Sequence, residues 1–467
     1  MAFKVEIQNL GKLKGPPITV GGLTVLAGPN ATGKSFFSKA LYSVFNAMNA
    51  NHALMYVQSL IEPIDVHLRR LIRHNTGTPY EELRSRLKEL ELICESLREH
   101  EDEFLAVSEA HDDLNNITNA AINLYNEIRP SLKELTKRPR SRTFLLFDEN
   151  KLKEVDQRVQ DLKAFISQSP EDIVSEGVSL ALVGNLVGNF QISESDLSEL
   201  KRDMESDAWI KIEDIGKISF QDDGKPSTKI EPEGILRLQQ HSRVIYLESP
   251  VHWKLRGALN AVRTSSWHRH RHMNLDVPRY FYDLDIALGR QHSGKVAFPE
   301  LLDKLKGAGI VGGEIVIDEG VMRFKDSTEP SGRSFPLPLT ATGAVNLGIL
   351  ALLIERRVID ENTFLFIDEP EANLHPKWQV EMISALLELA QGGVHVVIAT
   401  HSSDIVKRLL GLLKKYPQAE ELIAMNHFSA EGVKNGGAQN LHETANDIIE
   451  ELATPYSDSH LMSEGLE

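Results

Sequence analysis

The sequence has a single cysteine, no long apolar run and no N-terminal pattern typical of a signal peptide. Each of these features excludes a class of protein or of binding site. Cys94 is the only cysteine among 467 residues, which excludes a disulfide framework and a CxxC zinc site formed within one chain. No stretch approaches about 18 consecutive apolar residues, and the first residues lack the charged-then-apolar pattern of a signal peptide. We therefore expect a cytoplasmic protein that does not span a membrane.

The charge balance is acidic. The formal net charge of −16 argues against a surface built mainly to bind nucleic acid. Two local basic segments, 137–142 and 268–272, could still contact phosphate backbones or an acidic partner, and could equally be solvated surface. The second segment alternates histidines with no cysteine or adjacent carboxylate, so we expect no metal site there.

The most informative segment fits the phosphate-loop pattern GxxxxGK[ST] in full and reads Gly28-Pro29-Asn30-Ala31-Thr32-Gly33-Lys34-Ser35. An apolar run over 23–27 predicts a buried strand before it, and 36–48 predicts a helix after it. Glycines let backbone N–H groups close around phosphates, and the helix N-terminus adds partial positive charge. Lys34 would then reach the β- and γ-phosphates, and the Ser35 hydroxyl would bind Mg²⁺. The sequence thus predicts a nucleoside triphosphate site.

Two later strands end in polar residues suited to the same chemistry. Asp368 and Glu369 close the apolar segment 362–369, where Asp368 would hold Mg²⁺ and Glu369 would orient or deprotonate the attacking water. His401 follows the apolar strand over 394–400 and is placed to contact the γ-phosphate. A histidine that follows a strand more often has a structural role. Here, however, His401 comes after the phosphate loop and the Asp-Glu strand in the chain, and this order of motifs favours a role in the nucleotide site.

Together these segments resemble the ABC-type ATPases of the SMC/RecF/OLD branch, a group of AAA-family ATPases. Residues 368–376 are similar to the Walker B and D-loop segment of that branch, and 400–402 resemble its switch histidine. The resemblance covers roughly 1–50 and 230–430, including the N-terminal strands over 5–10 and 21–27. It implies an α/β fold, a P-loop NTPase of the ABC-ATPase type with a mixed sheet flanked by helices, and ATP and Mg²⁺ as ligands.

The resemblance also implies a head-to-tail dimer with ATP held between two chains, each presenting a signature loop to the other. The candidate loop is 339–346, followed by an apolar helix over 347–354, and it would place Thr342 and Gly343 at the partner's nucleotide. The alternative is an ordinary helix N-cap and turn. Gln239 or Gln240 are candidates for the Q-loop glutamine.

The region between the two matching parts has a different composition. We predict an N-terminal part of the ATPase core over 1–50, a helical and partly coiled-coil insertion over 51–208, and the rest of the core over 209–467, beginning with a β-hairpin over 209–221. Two heptad stripes could pair as antiparallel arms or belong to an ordinary helical bundle. They are Leu83, Leu87, Leu90, Cys94 and Leu97, and Leu152, Val155, Val159, Leu162 and Ile166.

The segment after His401 is shorter than the roughly 100 residues that a metal-dependent Toprim nuclease domain of OLD proteins needs. We therefore expect a separate effector protein. Stand-alone ATPases of this kind resemble the ATPase subunits of bacterial anti-phage systems of the Septu and PARIS types, which work with a nuclease. The alternatives are a DNA repair or chromosome-maintenance ATPase that binds DNA itself, the ATPase of a membrane transporter, and a self-contained nuclease.

Overall fold

The structure is a computed structural model that describes residues 2–50, 52–73, 78–99, 107–136, 148–231, 234, 243–248, 277–289, 294–307, 312–318, 321–327, 332–436 and 441–463. Contacts divide the chain into two compact units. The first comprises Met1–Asn49 and Ala181–Glu467, and the second is Ala50–Leu180.

The described strands are β1 (Phe3–Gln8), β2 (Ile18–Val20), β3 (Leu23–Ala27), β4 (Ala208–Ile212), β5 (Gly216–Phe220), β6 (Pro226–Ile230), β7 (Arg243–Glu248), β8 (Gly313–Asp318), β9 (Val321–Asp326), β10 (Ser334–Pro336), β11 (Thr363–Asp368), β12 (His395–Thr400), β13 (Ile423–Ser429) and β14 (Gly432–Gly436). The described α-helices are α1 (Lys34–Met48), α2 (His52–Arg73), α3 (Thr78–Glu99), α4 (Val107–Thr136), α5 (Glu149–Ser167), α6 (Pro170–Phe190), α7 (Arg279–Gly289), α8 (Pro299–Lys306), α9 (Thr342–Glu355), α10 (Pro376–Gln391), α11 (Ser403–Lys415) and α12 (Leu441–Ser463).

A six-stranded sheet in the order β14-β13-β3-β12-β11-β7 forms the centre of the first unit. All neighbouring pairs are parallel except β13 with β14. Parallel pairing brings the carboxyl ends of β3, β12, β11 and β7 to one edge, with Asp368 in register with Ala399 on one side and Glu248 on the other. This edge is where an open α/β sheet binds ligands.

Helices cover both faces of this sheet, which explains why β11 is apolar and fully buried. On one face α1 contributes Tyr42 and Phe45, whose rings lie 6.0 Å from Phe366 and 4.7 Å from Phe364 between centroids. The alternate residues Leu365 and Ile367 join an aliphatic core with α9 and α10. The expected α/β fold, a mixed sheet flanked by helices, is confirmed.

Two antiparallel sheets complete the first unit. One has the order β2-β1-β4-β5-β6, and it contains β1, close to the strand predicted over 5–10, and the predicted hairpin over 209–221. The strand predicted over 21–27 is β3, which lies instead in the central sheet with parallel neighbours. The hairpin is extended by β6, which pairs with β5. The other sheet, β10-β9-β8, immediately precedes α9 in the chain.

The second unit is a helical bundle of α2, α3, α4 and α5. Both heptad stripes are buried in a single core, where Ile166 is partly buried. However, α3 and α5 pack mainly on α2 and α4 rather than on each other. The structure therefore favours the bundle over a pair of coiled-coil arms, because α2 and α4 present apolar faces of their own that cover both stripes.

The predicted insertion ends too late. Residues 181–208 belong to the first unit, and the division falls within α6. The side-chain amide of Asn185 donates to the Ser43 carbonyl at 3.1 Å, and that of Asn189 donates to the Ser43 hydroxyl at 2.9 Å. These buried hydrogen bonds fix the end of α6 against α1.

One described helix is long and apolar enough to cross a membrane by length and composition alone. It is Asp172–Phe190, with a mean hydropathy of 1.3 over the relevant window. The core helix of a soluble protein passes the same test, so this is weak evidence.

Candidate active site

The phosphate-loop segment joins β3 to α1 through backbone that requires glycine. Gly28 has a φ of 154°, and a Cβ there would lie 1.8 Å from the Phe428 carbonyl oxygen. Gly33 has a φ of 100°, and its Cβ would lie 2.9 Å from Leu13 Cδ2. Both positions combine left-handed backbone with close neighbours, so only glycine is accommodated without displacement.

The loop and the start of α1 form a cradle suited to an anion. Gly33 caps α1 without a side-chain hydrogen bond, and the first turn carries no acidic residue. Thr32 donates its hydroxyl to the Pro29 carbonyl at 2.9 Å and holds the loop closed, while Asn30 and Ala31 are exposed. The positive end of the helix dipole is thus left for a phosphate group.

Lys34 lies inside this cradle and is only 8% exposed. Its ammonium donates to the carbonyl oxygens of Gly28 at 2.8 Å and Pro29 at 2.6 Å. Burial lowers the pKa of Lys34, while the negative charges of Asp368, Glu369 and Glu371 raise it and offset part of that effect. A buried cation whose hydrogen bonds go to neutral carbonyl oxygens is well suited to exchange them for a phosphate.

Ser35 and Asp368 meet at the sheet edge. Burial raises the pKa of the Asp368 carboxyl, the neighbouring Ser35 hydroxyl lowers it in part, and the charge of Glu248 raises it further. Two oxygen groups in a partly desolvated pocket fit Mg²⁺, which uses one or two carboxylates and completes its shell with water and phosphate. Within the described residues no cluster of three or more His, Cys, Asp or Glu side chains could hold a metal, so a protein-only cage is absent there.

Glu369 and His401, predicted from separate motifs, lie side by side above this edge. His401 Nδ1 is 3.1 Å from Glu369 Oε1, and the two side chains are 43% and 44% exposed. Glu369 has a φ of 52° and its N–H donates to the Ala399 carbonyl at 2.9 Å. The left-handed backbone, unusual for glutamate, turns the chain at the end of β11 and leaves the carboxylate open to solvent.

A third carboxylate at this edge, Glu248, is not among the residues predicted from the sequence. Tyr280 donates its hydroxyl to Glu248 Oε2, and Lys39 Nζ lies 3.5 Å from Glu248 Oε1. Glu248, Asp368 and Glu369 also line one pocket with apolar side chains of α7, α9 and α10. The signal was available, because Glu248 ends an apolar strand just as Asp368 does. The Q-loop candidates Gln239 and Gln240 lie outside the described residues, before β7 rather than at its carboxyl end.

The signature-like segment leads into α9, which begins at Thr342 after the cap residue Ala341. No side chain caps this helix, so the simple N-cap interpretation lacks its expected hydrogen bond. A Cβ on Gly343 would lie 2.7 Å from the Trp378 ring and 3.1 Å from the Asn373 carbonyl. Glycine therefore lets the start of α9 pack closely on α10 and the D-loop segment.

A search of solved structures matches the chain to three SMC head domains. The SMC head domain from Thermotoga maritima is 11% identical, with 93% of this chain and 97% of that chain covered and a TM-score of 0.35. The Smc head domain with an extended coiled coil from Pyrococcus furiosus, bound to the C-terminal domain of ScpA, is 10% identical, with coverages of 96% and 100% and a TM-score of 0.31. The Smc head domain with a coiled coil and joint from Pyrococcus yayanosii is 11% identical, with coverages of 97% and 99% and a TM-score of 0.31. No curated protein matches the chain. Residues 286–406, which hold α9, β11 and β12, match the AAA ATPase domain family.

Proposed function

We propose that the chain is a cytoplasmic ATPase that hydrolyses ATP to ADP and phosphate. The observation that carries this proposal is the convergence of three motifs at one sheet edge. Ser35 is close enough to the Asp368 carboxyl to lower its pKa, and Glu369 Oε1 lies 3.1 Å from His401 Nδ1, although these pairs are separated by long stretches of sequence. The match of residues 286–406 to the AAA ATPase domain family supports the same activity.

Each side chain has a role that follows from its position. Lys34 exchanges its carbonyl partners for the β- and γ-phosphates, while loop N–H groups and the start of α1 receive the remaining charge. Ser35 and Asp368 would hold Mg²⁺, and the ion would supply positive charge to the phosphates. Glu369, half-exposed at the mouth of the site, positions the attacking water and takes its proton. His401 holds the Glu369 carboxylate and contacts the γ-phosphate.

The active form in this proposal is a head-to-tail dimer. Gly343 lies at the start of α9, a helix whose first turn has no side-chain cap and therefore has free N–H groups to offer a phosphate. Leu339, just before it, is 76% exposed, as expected for a segment that a second chain covers. Thr342 and Gly343 would then complete the partner's nucleotide site.

The wider role we propose is a switch that controls a separate effector, a nuclease or toxin, in bacterial anti-phage defence. ATP binding would close the dimer, hydrolysis through Glu369 would reopen it, and the helical unit or the outer surface would carry this state to the effector. The support is the resemblance to stand-alone ATPase subunits of such systems, an argument by analogy.

The effector proposal is tested by purifying the Glu369→Gln variant with ATP, expressed together with its neighbouring genes, and weighing it by native mass spectrometry. A nuclease or toxin bound at fixed stoichiometry would support the switch. A bare dimer that retains only DNA would favour a repair or chromosome-maintenance ATPase. The wild-type chain with ADP is the control, since it should release the effector.

A further inference from the structure

Glu371 is a buried carboxylate that the proposed catalytic steps do not use. Its side chain is 7% exposed. One oxygen, Oε1, accepts the Thr400 hydroxyl at 2.5 Å, and the other, Oε2, is buried without a hydrogen-bond partner. A half-satisfied buried carboxylate is costly, so a purely structural role is a poor explanation for an acidic residue here.

Thr400 connects Glu371 to both sides of the nucleotide site. Its carbonyl accepts the N–H of Gly28, the first residue of the phosphate loop, at 3.4 Å. Its hydroxyl accepts the N–H of Ser402 at 3.0 Å, which fixes the turn that carries His401. The phosphate loop, the histidine turn and Glu371 therefore meet at one residue.

The segment that follows Glu371 contacts the start of α9. The Asn346 side chain donates to the Ala372 carbonyl at 3.2 Å. The Asn373 carbonyl packs against Gly343, where a Cβ would come within 3.1 Å of it. The same short segment thus touches Thr400 at one end and the proposed dimer surface at the other.

We propose that Glu371 and Thr400 are positioning residues that couple the nucleotide site of a chain to the start of its own α9. This inference rests on the proposed ATP-driven dimerisation and names the path within the chain that it uses. Nucleotide binding displaces Gly28 or His401, and this displacement moves Thr400. The Thr400–Glu371 hydrogen bond transmits the movement to residues 371–373. Asn346 and Gly343, which contact that segment, then move with it. The arrangement resembles two-state coupling through a hydrogen-bond network rather than direct contact with the substrate.

Thr400→Val removes the hydroxyl with little change in shape, and Thr400→Ser retains it as the matched control. We expect Thr400→Val to leave ATP affinity nearly unchanged but to lower kcat at least about tenfold, the factor that corresponds to one lost hydrogen bond to a charged group. Hydrogen exchange followed by mass spectrometry should show ATP-dependent protection of the phosphate loop in both variants. Protection of 342–346 should be lost only in Thr400→Val, and Thr400→Ser should behave as wild type.

A second pair guards against a folding defect. Glu371→Gln keeps an oxygen that accepts the Thr400 hydroxyl and should largely retain coupling, whereas Glu371→Ala should lose it. Equal losses of ATP affinity and kcat, or ATP-dependent protection of 342–346 in Thr400→Val and Glu371→Ala, would overturn the inference. If the wild-type chain neither hydrolyses ATP nor dimerises with it, the proposed function fails and the coupling fails with it. A wild type that does both, together with a Thr400→Val variant that keeps the wild-type kcat and the ATP-dependent protection of 342–346, refutes the coupling alone.

Discussion

Replacing Gly28 with alanine should both destabilise the first unit and abolish nucleotide binding. The new Cβ would sit 1.8 Å from the backbone carbonyl oxygen of Phe428. Gly28 directly follows β3, and Phe428 lies near the end of the neighbouring strand β13, so neither backbone can give way locally. The two strands must separate by more than an ångström to restore ordinary contact. Moreover, the φ of 154° strains any residue with a side chain.

The magnitude follows from these two terms. Left-handed strain costs about 1–3 kcal/mol and overpacking about 1–3 kcal/mol, so we expect a loss of about 2–6 kcal/mol. This is a large share of the roughly 5–15 kcal/mol that stabilises a typical domain. For a unit of this size, the melting temperature should fall by at least about 3 °C.

Gly411→Ala is the matched control. Gly411 lies inside α11, and a Cβ there meets nothing within 4 Å. Alanine should therefore stabilise the helix by about 0.5–1 kcal/mol and raise the melting temperature slightly. Thermal melts of both variants with and without ATP and Mg²⁺ make the comparison. A Gly28→Ala protein that melts with the wild type and is stabilised by ATP would refute the proposed loop geometry.

Two further predictions concern titratable groups. Burial raises the pKa of Asp368 above its usual 3.8, so its contribution to stability is present below that value and lost as pH rises through the folded pKa. At pH 7 Asp368→Asn should accordingly raise the melting temperature while it abolishes Mg²⁺-dependent turnover; a lower melting temperature would contradict this. Burial lowers the pKa of His427 below its usual 6.5, although Glu451 Oε2 lies 2.7 Å from His427 Nε2 and raises that pKa in part. The stability that neutral His427 contributes is therefore present above pH 6.5 and is lost as pH falls through the pKa of the folded state. Urea titrations from pH 7.5 to 5 should show a smaller decline in the free energy of unfolding for His427→Gln than for wild type, and identical slopes would dismiss the assignment.

The parts of the site that the sequence predicted share one physical basis. A phosphate loop needs glycines where φ is positive, and the pattern GxxxxGK[ST] records that need directly, as Gly28 and Gly33 illustrate. Asp368 ends one apolar strand and His401 follows the next, and parallel strands bring their carboxyl ends together. Local pattern and sheet geometry therefore sufficed to place these residues at one edge.

What the sequence did not predict depends on long-range register and packing. Glu248 joins the site because β7 pairs with β11 so that Glu248 lies opposite Asp368, and nothing within 243–248 specifies that register. A heptad stripe shows that a helix has an apolar face but not which helix covers it, so the partners of α3 and α5 were left open. The boundary within α6 was missed because the helix continues without interruption between the two units.

The most direct test of the account is steady-state ATP hydrolysis by the wild-type chain and by Glu369→Gln, with Glu361→Gln as control. Glu361 is an exposed glutamate just before β11 and far along the strand from the site, so its replacement should leave turnover unchanged. We expect Glu369→Gln to bind ATP normally, to hydrolyse it at least about 100-fold more slowly, as loss of a general base implies, and to accumulate as a dimer. Undiminished turnover by Glu369→Gln, or no hydrolysis by the wild type, would contradict the account.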